Sequence, residues 1–395
     1  MEEPKIKEIF DPYELNELSN KEKKEVAIVI PTYNQYKETK KLISLLKKQT
    51  LMPSIIVVDN NSDDNTFEKL KKDFSDIILI KAKDNYGSSG GQYLGQKYAY
   101  EKGYKYIILS DNDAYPVDND LIEYLINEKK KYKSAVVPKN KYYLYMSDLT
   151  HSYQFHYLTI DRNIIQNVGF VDYKWFLKLD DFDYTYRIFK KFGYIKIINK
   201  YYIHPLKTFT NILPFYYFVK NGTYFGLKNK KILTNIIDNF QWLIYALSIS
   251  IRYKNLKFIR TFFKGLLHAC IGRFGNLNKE LPKNLPVGYL NITKVNGKKI
   301  LVISQNKLLI ENLKDHINKT KLNMKCDIYF LDVKQSKLSK VKRIIRLLLK
   351  NNKYYDNIIF LGEMFPFYFI LILKYDPIFV DINENENLIF YKIDL

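Results

Sequence analysis

Cysteine is nearly absent from this sequence. Two residues, Cys270 and Cys326, in a chain of 395 exclude a disulfide scaffold and every Cys/His zinc spacing, and they predict two reduced structural thiols. Glycine and proline are also sparse, at 15 and 12, too few for a collagen-like or low-complexity chain, and no internal repeat occurs. Long apolar runs are missing as well. No stretch reaches the roughly 18 uninterrupted apolar residues of a membrane span. The opening Met-Glu-Glu-Pro is acidic and lacks an apolar core, so no secretory leader is expected. A cytoplasmic protein is expected, soluble or peripheral at the inner face of the cytoplasmic membrane. Acidic residues are outnumbered 63 to 42, for a net charge of +21. That excess suits anionic partners: nucleotide diphosphates, nucleic acid or acidic lipids. A nucleic-acid reader should carry a recognition motif beside its charge. No RNP-type aromatic strand or basic-zipper pattern is present, so nucleic acid is not an expected partner.

What is there is an ordinary core-forming composition, 47% hydrophobic and 16% aromatic, in a chain long enough for two or more units. Residues 1–25 are polar and mixed in charge, an N-terminal extension. From Val26 the pattern becomes regular: apolar runs at Val26–Pro31, Ser54–Asp59, Ile77–Lys81 and Tyr106–Asp111 alternate with helical spacing over Tyr36–Lys48, Phe67–Asp73 and Gly91–Lys102. Continuous apolar strands separated by helices predict a parallel sheet covered on both faces. Residues 26–205 form this α/β domain. Residues 206–290 read as a helical, basic and aromatic appendage, with charge gathered around Lys220–Lys264. Residues 297–395 restart a smaller α/β unit of unassigned role, with strands at Lys298–Ser304, Asp327–Leu331 and Asn357–Leu361, a helix near Leu308–Asn318 and a basic helix at Leu338–Leu349.

Ligands bind at the carboxyl ends of strands in such sheets. That rule sorts the polar residues, because Pro31–Asn34, Asp59–Asn61, Asp84–Gly91 and Asp111–Asp113 each follow a strand. Ser110-Asp111-Asn112-Asp113 is the sharpest signal: two carboxylates one residue apart converge on one hard divalent cation, Mn²⁺ or Mg²⁺, which commonly keeps a phosphate in its coordination sphere. Asp59 is placed to accept hydrogen bonds from a uracil or ribose, with an Asx turn through Asn60 and Asn61 as the alternative. The loop from Asp84 to Gly91 opens a helix, where glycine and helix-terminal amides favour phosphate or sugar oxygens. Asp180, Asp181 and Asp183 crowd three carboxylates into an apolar segment, which a task explains better than stability does. A helix N-terminus is the competing explanation.

In order and spacing, Val26-Ala-Ile-Val-Ile-Pro-Thr-Tyr-Asn34, Ile56-Val-Val-Asp-Asn-Asn-Ser62 and Asp111-Asn-Asp113 resemble family 2 glycosyltransferases of GT-A fold over about residues 26–275. Asn85-Tyr-Gly-Ser-Ser-Gly-Gly91 and Phe176-Leu-Lys-Leu-Asp-Asp-Phe-Asp-Tyr184, followed by Arg187, resemble the galactofuranosyl- and rhamnosyltransferase-like branch, which usually carries Trp at the place of Leu179. Tyr216–Asn221, with Lys220 where the branch has Arg, and Lys264–Gly275 resemble its later elements. The resemblance implies metal ligation by Asp111, Asp113 and His204. It implies donor contacts from Pro31, Thr32, Tyr33, Asp59, Asn85, Gly90, Gly91, Asp111 and Asn112, and a general base at Asp180 or Asp181. The implied reaction moves a sugar, with inversion, from a nucleotide-diphosphate donor to a glycan or lipid-linked glycan of a bacterial surface such as capsule or lipopolysaccharide. A UDP-sugar, galactofuranose-type included, is favoured, with dTDP-rhamnose the alternative.

Two rivals are weaker. A non-catalytic carbohydrate or membrane scaffold on this fold has no need to keep Asp111-Asn-Asp113 and the acidic pair. A nucleotidyltransferase should show a glycine-rich basic loop after its first strand, where Pro31-Thr-Tyr-Asn34 stands. Trp242–Ile251, flanked by Arg252, Lys254 and Lys257, reads either as an interfacial helix on an anionic membrane surface or as a core helix.

Overall fold

A computed structural model describes residues 2–13, 25–141, 149–150, 153–204, 212–229, 232–282, 287–289, 299–304, 307–319, 325–330, 357–361, 376–382 and 388–393. The chain divides into two compact units, the first of residues 1–141, 147–204 and 274–277, the second of the remainder.

The first unit runs β1 (Ile6–Phe10), β2 (Val26–Thr32), α1 (Tyr36–Leu46), β3 (Ser54–Asp59), α2 (Thr66–Asp73), β4 (Ile78–Ala82), α3 (Gly87–Glu101), β5 (Tyr106–Leu109), β6 (Tyr115–Pro116), α4 (Leu121–Lys131), β7 (Val136–Asn140), β8 (Leu149–Thr150), β9 (Leu158–Asp161), α5 (Arg162–Val168), α6 (Asp180–Phe192) and β10 (Ile195–Ile203). Strands β4, β3, β2 and β5 are parallel neighbours, as their unbroken apolar runs predict. Every residue of β2 is buried, the pattern of a strand with helices on both faces. The N-terminal residues extend this half, with β1 antiparallel to β4 at its edge.

Beyond β5 the sheet becomes mixed. Strand β9 lies antiparallel to both β5 and β7, and β6 lies antiparallel to β10. These strands are two to four residues long, too short to show a period in the sequence. The glycine segment also differs from its expected form: α3 starts at Gly87 rather than Gly91, so Gly90 and Gly91 are helical. On α3, a Cβ at Gly95 would stand 2.3 Å from Val29 Cγ1 and 3.0 Å from Val58 Cγ2, so the helix lies on the sheet closer than any side chain allows.

The second unit contains α7 (Ile212–Lys228), α8 (Ile232–Arg252), α9 (Lys257–Cys270), β11 (Val287–Tyr289), β12 (Lys299–Ser304), α10 (Lys307–Lys319), β13 (Lys325–Phe330), β14 (Asn357–Leu361), β15 (Asp376–Ile382) and β16 (Leu388–Ile393). A Cβ at Gly265 would meet Val219 Cγ1 at 3.0 Å, which marks a tight crossing of α9 on α7. On α7, Tyr216, Tyr217, Lys220 and Asn221 are all buried, and the Lys220 ammonium lies 4.9 Å from the Tyr217 ring centre. The sheet follows the order β11-β16-β15-β14-β12-β13, parallel from β13 to β15. The basic helix expected over Leu338–Leu349 lies outside the described residues. Neither Cys270 nor Cys326 is joined in a disulfide.

Candidate active site

Strand register assembles the site. Leu109 of β5 pairs with Leu158 of β9, which carries the segment before β9 back past the end of β5. There the Asp111 amide donates to the Phe155 carbonyl at 2.8 Å, and His156 follows. Beyond Asp113 the chain forms β6, whose Tyr115 pairs with Ile203 of β10. His204 therefore arrives beside Asp113. His156 Nε2 lies 3.4 Å from Asp111 Oδ2 and His204 Nε2 lies 3.1 Å from Asp113 Oδ1. The two imidazole centres are 4.3 Å apart and tilted by 30°. One ligand atom each from Asp111, His156 and His204 falls within 4.8 Å of the others.

This donor set fits a divalent cation. Burial, reinforced by the neighbouring His204, holds His156 below the usual histidine range against the pull of Asp111 and Asp113. It therefore presents a neutral imidazole, the ligating form. Its Nδ1 is 2.8 Å from the Tyr202 hydroxyl, a contact that orients the ring with Nε2 toward Asp111. His204 Nδ1 is buried without a protein partner, a costly state that a ligand relieves. Imidazole nitrogen beside carboxylate suits Mn²⁺ better than Mg²⁺, which prefers an all-oxygen shell. The fold thus gathers Asp111, Asp113 and His204, and it adds His156. No motif surrounds His156 in the sequence; only the pairing of β9 with β5 identifies it.

The acidic segment is positioned by strain. Phe176, Lys178 and Leu179 have φ of 66°, 64° and 66°, left-handed values that cost non-glycine residues about 1–3 kcal/mol each and cluster at functional sites. They turn the chain into α6, whose first residues are the three acids. The helix N-terminus anticipated as the bland explanation is therefore real, and it does not account for all three carboxylates. Asp183 is structural: Arg187 Nε donates to it at 3.0 Å and also holds the carbonyls of Val168 and Phe170. Asp180 is 4% exposed and its Oδ2 has no hydrogen-bond partner. Asp181 is half-buried, with Oδ1 accepting from the Phe182 amide at 2.8 Å. Burial, and then the charge of Asp111, pushes Asp180 up to about 7. Burial, and then the charge of Asp180, raises Asp181 as well.

A stability prediction follows from Asp180. With the carboxyl at about 7 in the fold against an ordinary 3.8, the native state keeps a proton that the unfolded chain has released, so this residue's contribution to stability falls as pH rises through that window. Asp180→Asn removes the penalty. Urea melts are expected to show a gain on the order of 4 kcal/mol at about pH 8, vanishing near about pH 4. A gain of equal size at both pH values would contradict the assignment.

The remaining expected residues line the same sheet edge. Asp59 is 1% exposed, raised by burial, and accepts from the amide and hydroxyl of Ser62, closing the turn after β3. Pro31 and Thr32 end β2, and the Thr32 and Thr39 hydroxyls lie 2.9 Å apart. Asn112 donates to Gln35 Oε1 at 3.0 Å and to Thr39 Oγ1 at 3.1 Å, tying the end of β5 to α1. Tyr33 is 38% exposed and donates to Asp63 at 3.1 Å. Asn85 Oδ1 accepts from the Gly87 amide at 2.9 Å. Gly87 itself has φ +72°, and a Cβ there would be 2.0 Å from the Phe176 carbonyl oxygen, so only glycine lets the start of α3 meet the turn that precedes the acidic pair. A Cβ at Gly91 would sit 2.6 Å from Pro31 Cβ and 2.9 Å from Asn60 Nδ2. Gly90 and Gly91 permit close packing as helical residues, not as a loop.

Residues 27–198 match the model of glycosyl transferase family 2. That segment is a family 2 glycosyltransferase domain of GT-A fold. Over 125 residues the chain is 29% identical to a UDP-N-acetylglucosamine–dolichyl-phosphate N-acetylglucosaminyltransferase of Methanococcus voltae, covering 27% of this chain and 49% of that protein. Over 123 residues it is 33% identical to the dTDP-rhamnosyl transferase RfbF of Shigella flexneri, covering 30% of this chain and 40% of that protein. The chain thus spans half or less of the length of these curated relatives. Among solved structures, a mannosyltransferase from Pyrobaculum calidifontis in complex with GDP-Man and Mn²⁺ aligns with a TM-score of 0.42 at 13% identity, over 66% of this chain and 79% of that one.

Proposed function

We propose that the protein is a metal-dependent, inverting glycosyltransferase that moves a sugar from a pyrimidine nucleoside-diphosphate donor to a glycan or lipid-linked glycan acceptor at a bacterial surface. One observation carries this reading: Asp180, buried and with one carboxyl oxygen unpartnered, lies with Asp181 within electrostatic reach of Asp111, a member of the Asp/His cluster at the carboxyl ends of parallel strands. Asp111, His156 and His204 would hold Mn²⁺ or Mg²⁺, with Asp113 beside His204. When bound, the cation supplies Lewis-acid stabilisation of charge on the departing diphosphate. Asp59, Tyr33 and Asn85 would contact the nucleoside. The Asp180/Asp181 pair takes the acceptor hydroxyl proton as that oxygen bonds to the anomeric carbon and the carbon–phosphate oxygen bond breaks. A base on the face opposite the leaving group gives inversion.

The names of both curated relatives carry pyrimidine nucleotides, uridine in one and thymidine in the other, which favours UDP-sugars with dTDP-rhamnose as the second reading. The test is nucleoside-diphosphate release from UDP-, dTDP- and GDP-sugars with Mn²⁺ and after chelation. Release from a pyrimidine donor, dependent on the metal, is expected. No binding or turnover of any donor would leave the non-catalytic scaffold as the better reading.

A further inference from the structure

Helix α8 is amphipathic the wrong way round for water. Its inward side buries Asn235, Gln241, Ser248 and Ser250 beside Tyr245 and Ile249, and Asn235 spends its amide on the Thr223 carbonyl. Its outward side exposes Leu233, Ile237, Phe240, Leu247 and Ile251. These sit four, three, seven and four residues apart, one stripe along the helix. Leu233 is 73% exposed and Phe240 55%. Phe263 and Leu267 of α9 are 56% and 58% exposed. Large apolar side chains exposed in a row along one helix face mark an interaction site.

Charge identifies the occupant. From Ile232 to Ile251 the only charged residue is Asp238. Cations begin where the stripe ends, with Arg252, Lys254, Lys257, Arg260 and Lys264 following within one turn of chain and along α9. The nearby Glu280 is engaged by Arg273 and Lys264. A second copy docked on this face would bring like-charged rims together with one acid to offset them. Anionic headgroups pair with those cations instead, while the apolar stripe enters the acyl boundary. Among the described residues no helix is long and apolar enough to cross a membrane.

We infer that the outer face of α8 and α9 docks the protein flat on the surface of an anionic membrane. The inference rests on these helices alone and not on the transferase reading. It also revises the expectation for Trp242–Ile251: Trp242 packs against Phe215, Phe218 and Tyr245, and the exposed stripe starts nine residues earlier, at Leu233.

The test is flotation of the full chain with vesicles of phosphatidylcholine alone and of phosphatidylcholine with phosphatidylglycerol, at low and high salt. Flotation with the anionic vesicles, weakened by salt, is expected. Phe240→Ser with Ile251→Ser should lower binding at least about ten-fold, since each side chain loses its transfer into an apolar phase. The double variant should keep the parent's circular dichroism, melting temperature and donor turnover, because both positions already face solvent. Lys254→Glu with Arg260→Glu should abolish the preference for anionic lipid. Failure to float on either vesicle overturns the inference, as does equal binding to both. A concentration-dependent dimer in light scattering, broken by F240S/I251S without any flotation, would assign the face to a second copy.

Discussion

Asp180→Asn and Asp181→Asn are each expected to lower turnover by about 10²–10⁴-fold, the usual contribution of a positioned general base, while donor affinity changes little. Burial and the charge of Asp111 raise Asp180 to about 7, and burial and the charge of Asp180 raise Asp181, so the two carboxyls release their protons as a pair. Groups that act as a unit are non-additive. The D180N/D181N double variant should therefore lose no more than the worse single variant. Pre-steady-state turnover of the three variants, with donor binding by calorimetry, checks this. Near-normal turnover in both single variants would remove the base from the mechanism, and multiplicative losses would show two independent roles. Asp183→Asn provides the contrast, because that carboxylate serves Arg187. Its loss should appear in stability before it appears in turnover.

The second large effect concerns the cation. Chelation is expected to abolish activity and Mn²⁺ to restore it better than Mg²⁺, because two imidazoles stand with Asp111 and imidazole disfavours the harder ion. His156→Ala should weaken Mn²⁺ binding by about 10–100-fold, the scale on which loss of a supporting metal contact is felt. Tyr202→Phe, which removes only the hydroxyl 2.8 Å from His156 Nδ1, should have a smaller effect in the same direction. Titration of Mn²⁺ by electron paramagnetic resonance reads binding without reference to turnover. Unchanged Mn²⁺ affinity in His156→Ala would return His156 to the role of a buried structural histidine.

The parallel half of the first sheet was legible because β2 to β5 are continuous apolar runs, and such runs have one stable setting, between two layers of helix. The site loops followed from that, since the carboxyl ends of parallel strands share an edge. His156 was not legible. It owes its place to β9, a four-residue strand whose antiparallel partner is chosen by tertiary packing rather than by periodicity. Gly90 and Gly91 misled for a related reason: glycine marks close backbone approach in a loop or in a helix alike, and only the approach of Gly90 to Tyr86 and of Gly91 to Pro31 and Asn60 distinguishes the two. The outward stripe of α8 was hidden because spacing alone does not reveal which face of a helix turns inward.

The two-residue pairing of β6 with β10 has a wider implication. It joins Asp113 to His204, residues distant in sequence, through a ladder of backbone contacts and not through the chemistry of any intervening side chain. One residue gained or lost between Asp113 and Tyr115 would slip the ladder and turn the carboxylate to the opposite side of the sheet, away from His204. A two-residue strand thus sets the length of chain on which the site depends.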